Sequence, residues 1–304
     1  MLIEQTFIPD TMQRAEARVS DAMERVEAKV APTSHSEGRR VLAEINPDHP
    51  GFRDPVYRAR RNCIAQIALD YEPGTAIPDA PYTPEEGNVW RAIRHALKPR
   101  HDGFACAEFL ECEGQLGLPA ERIPQLREVS ERVEAMSGFR LEPVAGLVQP
   151  RIFLESLAEG VFLSTQYIRH HSAPFYTPEP DVVHEIIGHA TMLASERVAD
   201  LSRLFGEAVR RTKSEEALDR LARVYWYTIE FGVVLENGAV KAYGAGLLSS
   251  AGELERTQDA ELRPLDLDAA SRQLYDATQY QPFFYCANSF EEMFQTLRDY
   301  LSAL

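Results

Sequence analysis

Pro180-Asp181-Val182-Val183-His184-Glu185-Ile186-Ile187-Gly188-His189 sets two imidazoles and two carboxylates within ten residues. The histidines are five apart, one residue more than the spacing that puts two zinc-binding histidines on one helix face. On a regular α-helix five steps turn about 500°, leaving the side chains about 140° apart. One ion reaches both only if the turn is widened or if His184 sits at a frayed helix start. Gly188 is where a widened turn is best tolerated. The stretch predicts a helix over 181–194 that departs from α geometry between its histidines. A third ligand must come from elsewhere. Glu179, Asp181 and Glu185 are near in sequence, but Glu230 is the better candidate. It ends the aromatic-rich run Tyr225-Trp226-Tyr227-Thr228-Ile229-Glu230-Phe231, where a buried carboxylate needs a compensating cation. Two imidazoles and one carboxylate suit non-haem Fe(II) and oxygen chemistry. Zinc accepts the same ligands, so donor type leaves the metal open. The plain structural alternative is a histidine pair satisfied in the core or at the surface.

The chain has 304 residues and a net charge of −15, which argues against nucleic acid or an anionic membrane as a partner. Its apolar runs are too short to span a bilayer, and no basic-then-apolar leader opens it. Cys63, Cys106, Cys112 and Cys286 form no CxxC pair and read as reduced, partly buried thiols of a cytoplasmic protein.

Residues 1–45 read as a helical extension and linker, and 46–304 as one catalytic domain. Met12, Ala15, Val19, Met23, Val26 and Val30 form a stripe three or four apart. It suits a helix lying on its own domain or, in a homodimer, the contact between copies. Residues 32–38 are linker-like. The rest is mostly α (α+β) with short β-hairpins. Helices are expected over 55–70, from Thr83-Pro84-Glu85-Glu86, near 104–116 and 124–136, over 153–158, 197–212 and 215–231, and from Ser289 to the end. Residues 140–148 are extended, 161–168 are strand or loop, and Asn237-Gly238 turns a hairpin over 233–240.

Further segments carry a family resemblance. They include Asp54-Pro55-Val56-Tyr57-Arg58-Ala59-Arg60-Arg61, Gly138-Phe139-Arg140-Leu141, Thr165-Gln166-Tyr167-Ile168-Arg169-His170 and Tyr176-Thr177-Pro178-Glu179-Pro180-Asp181. They continue with His184-Glu185-x-x-Gly188-His189, Glu230-Phe231-Gly232 and Lys241-Ala242-Tyr243-Gly244-Ala245-Gly246-Leu247-Leu248-Ser249-Ser250. Over about residues 48–300 the chain resembles the tetrahydropterin-dependent aromatic amino acid hydroxylases. The resemblance implies a single, mostly helical domain that hydroxylates the ring of a free aromatic amino acid with O2, non-haem Fe(II) and tetrahydropterin. It makes His184, His189 and Glu230 the iron ligands. Arg169 matches the anchor of the substrate carboxylate, oriented by Asp181, with Thr177 and Ser249 at the amino-acid end. Pro178, Trp226, Phe231 and Gly246 match the ring pocket. Phe153 matches the ring under the pterin, with Val144, Gly146, Val148, Glu185 and Ala222 at other pterin-side positions.

Within the family, Trp226 and Ala277 resemble the phenylalanine enzymes, while Phe175 resembles the tryptophan enzymes. Phenylalanine hydroxylated at the para carbon is therefore the expected reaction, with tryptophan 5-hydroxylation as the alternative. A zinc-dependent hydrolase is a more distant reading, opposed by the histidine spacing, and a non-catalytic binding protein is opposed by the intact triad. Gln149-Pro150 and Leu163 depart from residues common near the pterin and the pocket. Neither a regulatory domain nor a tetramerising arm is expected. A monomer is expected, or a homodimer through the N-terminal helix.

Overall fold

Asp54-Pro55 and Thr83-Pro84 start the first two helices as their sequences require. In this computed structural model, residues 45, 47–277 and 279–304 are described. The expected helix over 12–30, the linker over 32–38 and any dimer contact through them lie outside the described residues.

Helix α1 spans Pro55–Asp70, with Asp54 Oδ1 accepting from the N–H groups of Val56 and Tyr57 at 2.8 and 3.0 Å. Helix α2 spans Pro84–Phe104. Its capping box is present: Glu86 N–H donates to Thr83 Oγ1, and Thr83 N–H to Glu86 Oε2. Helices α3 (Ala107–Leu116) and α4 (Leu126–Ser137) both stop at left-handed glycines, Gly117 and Gly138. Strand β1 (Arg140–Pro143), helix α5 (Pro150–Leu157) and strand β2 (Val161–Ser164) follow. A π-helix then occupies His184–Ala190 and runs into the short α6 (Thr191–Leu193). After α7 (Glu196–Arg211) and α8 (Glu215–Tyr225), a second π-helix covers Trp226–Glu230. The C-terminal part holds β3 (Val233–Glu236), β4 (Ala239–Ala242), α9 (Ala245–Leu248), α10 (Ala251–Arg256), β5 (Glu261–Pro264), α11 (Leu267–Arg272), β6 (Phe283–Ala287) and α12 (Phe290–Ala303).

The mostly helical reading holds, and so does the Asn237-Gly238 hairpin. Both turn residues have positive φ, 53° and 78°, as a two-residue turn between antiparallel strands demands. The remaining strands pair otherwise than as hairpins. β1 and β2 run parallel, joined through α5, and β6 lies parallel to both β3 and β5 in the order β4-β3-β6-β5. Parallel partners are distant in sequence, so local turn chemistry gives no sign of them. The helices expected over 181–194 and 215–231 each contain a π-helical segment. All four cysteines are free; Cys63 is exposed and Cys106 and Cys112 are buried. Among the described residues, no helix is long and apolar enough to cross a membrane.

Trp90, Phe109, Phe139, Phe162 and Phe205 sit almost fully buried in one continuous core. Each contributes about 2–3 kcal/mol of apolar burial. The connection from Thr165 to Asp181 is irregular, yet residues 165–170 are buried. Its backbone groups therefore need partners. Tyr57 and Tyr82 hydroxyls donate to the carbonyls of Ile168 (3.0 Å) and Gln166 (2.8 Å), and Val182 N–H to Tyr167 O (2.8 Å). Arg61, on α1, grips the same connection. Its guanidinium bonds both oxygens of Glu179 at 3.0 and 3.1 Å and lies 4.2 Å over the Tyr167 ring.

His49 belongs to this cluster. Its Nδ1 accepts from Gly51 N–H at 2.9 Å, and Nε2 lies 4.0 Å from Glu179. Burial, then the charges of Arg61 and His170, push its pKa down to about 4. An unfolded histidine titrates near 6.5, so below that pH the unfolded chain binds one proton more than the folded chain. Stability from this residue is full above pH 6.5 and is lost as pH falls towards 4. We predict that His49→Gln makes urea midpoints less steep between pH 7 and 4.5; an unchanged slope contradicts this account.

Candidate active site

In a π-helix each N–H bonds the carbonyl five residues back, so residue i+5 comes round close to residue i. Thr191 N–H donates to Ile186 O in this way, and the Thr191 hydroxyl bonds the same carbonyl at 3.1 Å. The predicted departure from α geometry is present, and it brings the two imidazoles together. His184 Nε2 and His189 Nε2 are 3.1 Å apart. Gly188 permits the segment's approach to α9, since a Cβ there would lie 2.6 Å from Ala245 O. The second π-helix, closed by Phe231 N–H donating to Trp226 O at 2.9 Å, ends on Glu230. Its carboxylate stands 2.9 Å from His189 Nε2 and 3.6 Å from His184 Nε2. The three ligand atoms all lie within 4.8 Å of one another.

The protonation pattern suits a cation. Ser249 donates its hydroxyl hydrogen to Ala245 O at 2.7 Å, so its oxygen accepts from His184 Nδ1–H at 3.0 Å. That fixes the tautomer and leaves the His184 Nε2 lone pair facing Glu230. Burial drives His184 down to about 4 despite Glu230. Burial would lower His189 and raise Glu230, but their mutual attraction reverses both: His189 is raised and Glu230 lowered. A half-buried carboxylate between two imidazoles, one held neutral, fits a divalent ion.

Asp181 joins this centre to Arg169. The carboxylate is fully buried and accepts from Arg169 N–H (2.8 Å), Nε–H (2.8 Å) and Nη2–H (2.7 Å), and from His184 N–H (3.2 Å). Burial alone would raise its pKa; the charge and bonds of Arg169 hold it below the ordinary carboxylate range. Asp181 takes one edge of the guanidinium and leaves Nη1 and the second Nη2 hydrogen for another acceptor.

The other expected residues fall into three groups. Trp226 and Phe231 pack at 4.6 Å, with Gly246 against the Phe231 ring. Val144, Val148 and Phe153 share one apolar cluster with Ile152, Val161 and Leu163. Phe153 meets Phe162 and Tyr225 edge-on at 5.5 and 5.8 Å, and both of those rings flank His189. Half-buried Ala222 lies one turn before Tyr225 on α8. Glu185 is buried against Thr165, whose N–H and hydroxyl donate to Oε1 at 3.3 and 3.1 Å. Burial pushes it up to about 8, over the opposing pull of His189 and Thr165. Thr177 and Pro178 are half-buried on the connection before Asp181, where Thr177 donates to Glu179 O. Gly146 is buried between β1 and α5, and no bond ties it to the triad.

The family model for biopterin-dependent aromatic amino acid hydroxylases matches residues 34–304. The chain belongs to this family. Tyrosine 3-monooxygenase of Schistosoma mansoni is 44% identical, over 87% of this chain and 58% of that protein. Phenylalanine-4-hydroxylase of Bos taurus is 43% identical, over 86% of this chain and 59% of that protein. The chain thus spans under two thirds of either relative. A crystal structure of Chromobacterium violaceum phenylalanine hydroxylase, with bound iron(III) and oxidised 7,8-dihydrobiopterin, superposes with TM-score 0.70 at 27% identity. It covers 90% of this chain and 92% of that one. Against this hydroxylase fold, sequence reasoning missed the supports of the pocket. Tyr275 stacks on Trp226 at 4.0 Å and 9°. Gln281 accepts the indole N–H at 3.1 Å, while its amide donates to Asp276 O and Gln279 O. These residues sit in a coil between α11 and β6, with no pattern to mark them. For Phe162 the signal was a buried strand; for Tyr225 it was its place before Trp226.

Ser249→Ala removes the acceptor that sets the His184 tautomer. We predict a loss of metal affinity of about 10–100-fold with little change in folding, measured by competition for Fe(II) with a chromophoric chelator. Undiminished affinity contradicts the tautomer argument.

Proposed function

We propose that this chain hydroxylates the ring of a free aromatic amino acid, with L-phenylalanine converted to L-tyrosine as the preferred reaction. The observation that carries the reading is Asp181, which bonds Arg169 and the first metal-facing histidine together. An arginine fork beside a two-histidine, one-carboxylate centre suits an amino acid held by its carboxylate, with its side chain directed at a metal.

His184, His189 and Glu230 would hold Fe(II). When bound, iron and tetrahydropterin supply the reductive activation of O2, one oxygen atom going to the substrate ring and the other to the pterin. The protein's part is binding, orientation and exclusion of water. The free edge of Arg169 meets the substrate carboxylate, with Thr177 and Ser249 near its amino-acid end. Trp226, Phe231, Pro178 and Gly246 wall the ring pocket. Trp226 cannot swing, because Tyr275 covers its face and Gln281 holds its N–H. Phe153 offers a ring face to the pterin, bordered by Val144, Gly146, Val148 and Ala222. Glu185, its pKa raised by burial, accepts from Thr165 beside this face.

For phenylalanine, the support is the apolar character of the side chains expected to wall the pocket. Trp226 and Phe231 form the floor, and Ala277 lies two residues beyond Tyr275 in the same coil. The relatives named above act on phenylalanine and on tyrosine at nearly equal identity and do not separate the two.

Purified protein with Fe(II), tetrahydropterin and O2 is expected to convert phenylalanine to para-tyrosine, identified by mass and retention, and His184→Ala is expected to abolish product. Dihydroxyphenylalanine from tyrosine, or 5-hydroxytryptophan from tryptophan, as the main product would overturn the substrate choice alone. No product from any of the three, with iron bound, would overturn the reaction. Arg169→Lys keeps the charge but loses the fork; KM for the amino acid should rise about tenfold or more, with pterin KM little changed.

A further inference from the structure

A second set of metal-ligating side chains lies at the N-terminus of α1. Asp54, His170 and His171 each offer one ligand atom, all within 4.8 Å of one another. We propose that these three residues form a second cation site, selective for a divalent d-block ion of the Zn(II) type, separate from His184, His189 and Glu230. The site does not depend on the reaction proposed above.

Each ligand is held for a different reason. Asp54 spends Oδ1 on capping α1, which leaves Oδ2 facing His170 Nε2 at 3.2 Å. The two backbone N–H groups and His170 hold its carboxyl below the ordinary range, so it is anionic at neutral pH. His170 is buried and packed edge-on against Tyr57 at 4.9 Å, so its ring cannot turn freely. His171 is exposed, and its ring lies on His170 with centroids 4.2 Å apart and planes tilted by 34°. No protein group among the described residues bonds the ring nitrogens of His171. It is an imidazole placed beside a second imidazole and a carboxylate with its donor atoms unspent.

The donor set excludes the hard cations. Two imidazoles and one carboxylate oxygen suit zinc and its neighbours, whereas calcium and magnesium take oxygen shells. Water would complete a tetrahedron. The proton count also closes. Without the ion, His170 donates Nε2–H to Asp54, and Nδ1 accepts from Ser172 N–H at 3.2 Å. With the ion on Nε2, the ring proton moves to Nδ1 and is donated to Ser172 Oγ, 2.7 Å away. The ring stays neutral, and Ser172 becomes the outer partner that orients a ligating histidine.

The test uses the full chain with iron in its catalytic site. Zn(II) is titrated against a chromogenic indicator while released iron is measured in the same sample. The expected result is uptake of one equivalent of zinc without iron release, weakened at least tenfold in His171→Ala. Asp54→Asn should weaken it likewise, because asparagine still caps α1 but carries no charge. Wild-type zinc affinity in both variants would overturn the proposal, as would zinc uptake that matches iron release mole for mole.

Discussion

Asp181 is a fully buried carboxylate, and four N–H groups converge on it. Without them its burial would cost several kcal/mol; with them it becomes the joint of the site. One oxygen fixes the backbone and side chain of Arg169. The other reaches the start of the π-helix that carries His184. The same carboxylate therefore sets the arginine's orientation and the position of the first histidine. Arg61, Tyr57 and Tyr82 hold the irregular connection on which both Arg169 and Asp181 lie. The rest of the fold holds that joint in place.

Both parts of the candidate metal centre, the His184–His189 pair and Glu230, sit on π-helical turns, a rare geometry that is frequent at functional sites. Local compensation is visible at the first. Thr191 supplies a second donor to the widened turn at Ile186, and Gly188 admits the carbonyl of Ala245. Around His189 the rings of Phe162 and Tyr225 leave little polar surface. In such surroundings the attraction between Glu230 and the imidazoles is strong, and so is the attraction of the whole group for a cation.

The chain belongs to the hydroxylase family over nearly all of its length. The metal centre and Arg169 are built from the middle of the chain. The coil between α11 and β6 covers Trp226, through Tyr275 and Gln281.

The sequence by itself determined the helix starts, since Asp54, Thr83 and their partners act within three residues. It determined the Asn237-Gly238 turn and the need for a widened turn between His184 and His189. Each depends on local spacing, which a sequence displays. Only the tertiary structure decided that β1 pairs parallel with β2 and β6 with β3 and β5, that Ser249 sets the tautomer of His184, and that Gln281 pins Trp226. Those contacts join residues 21 to 65 positions apart. At such distances chain entropy leaves many pairings open, and only the packing of the whole core selects one.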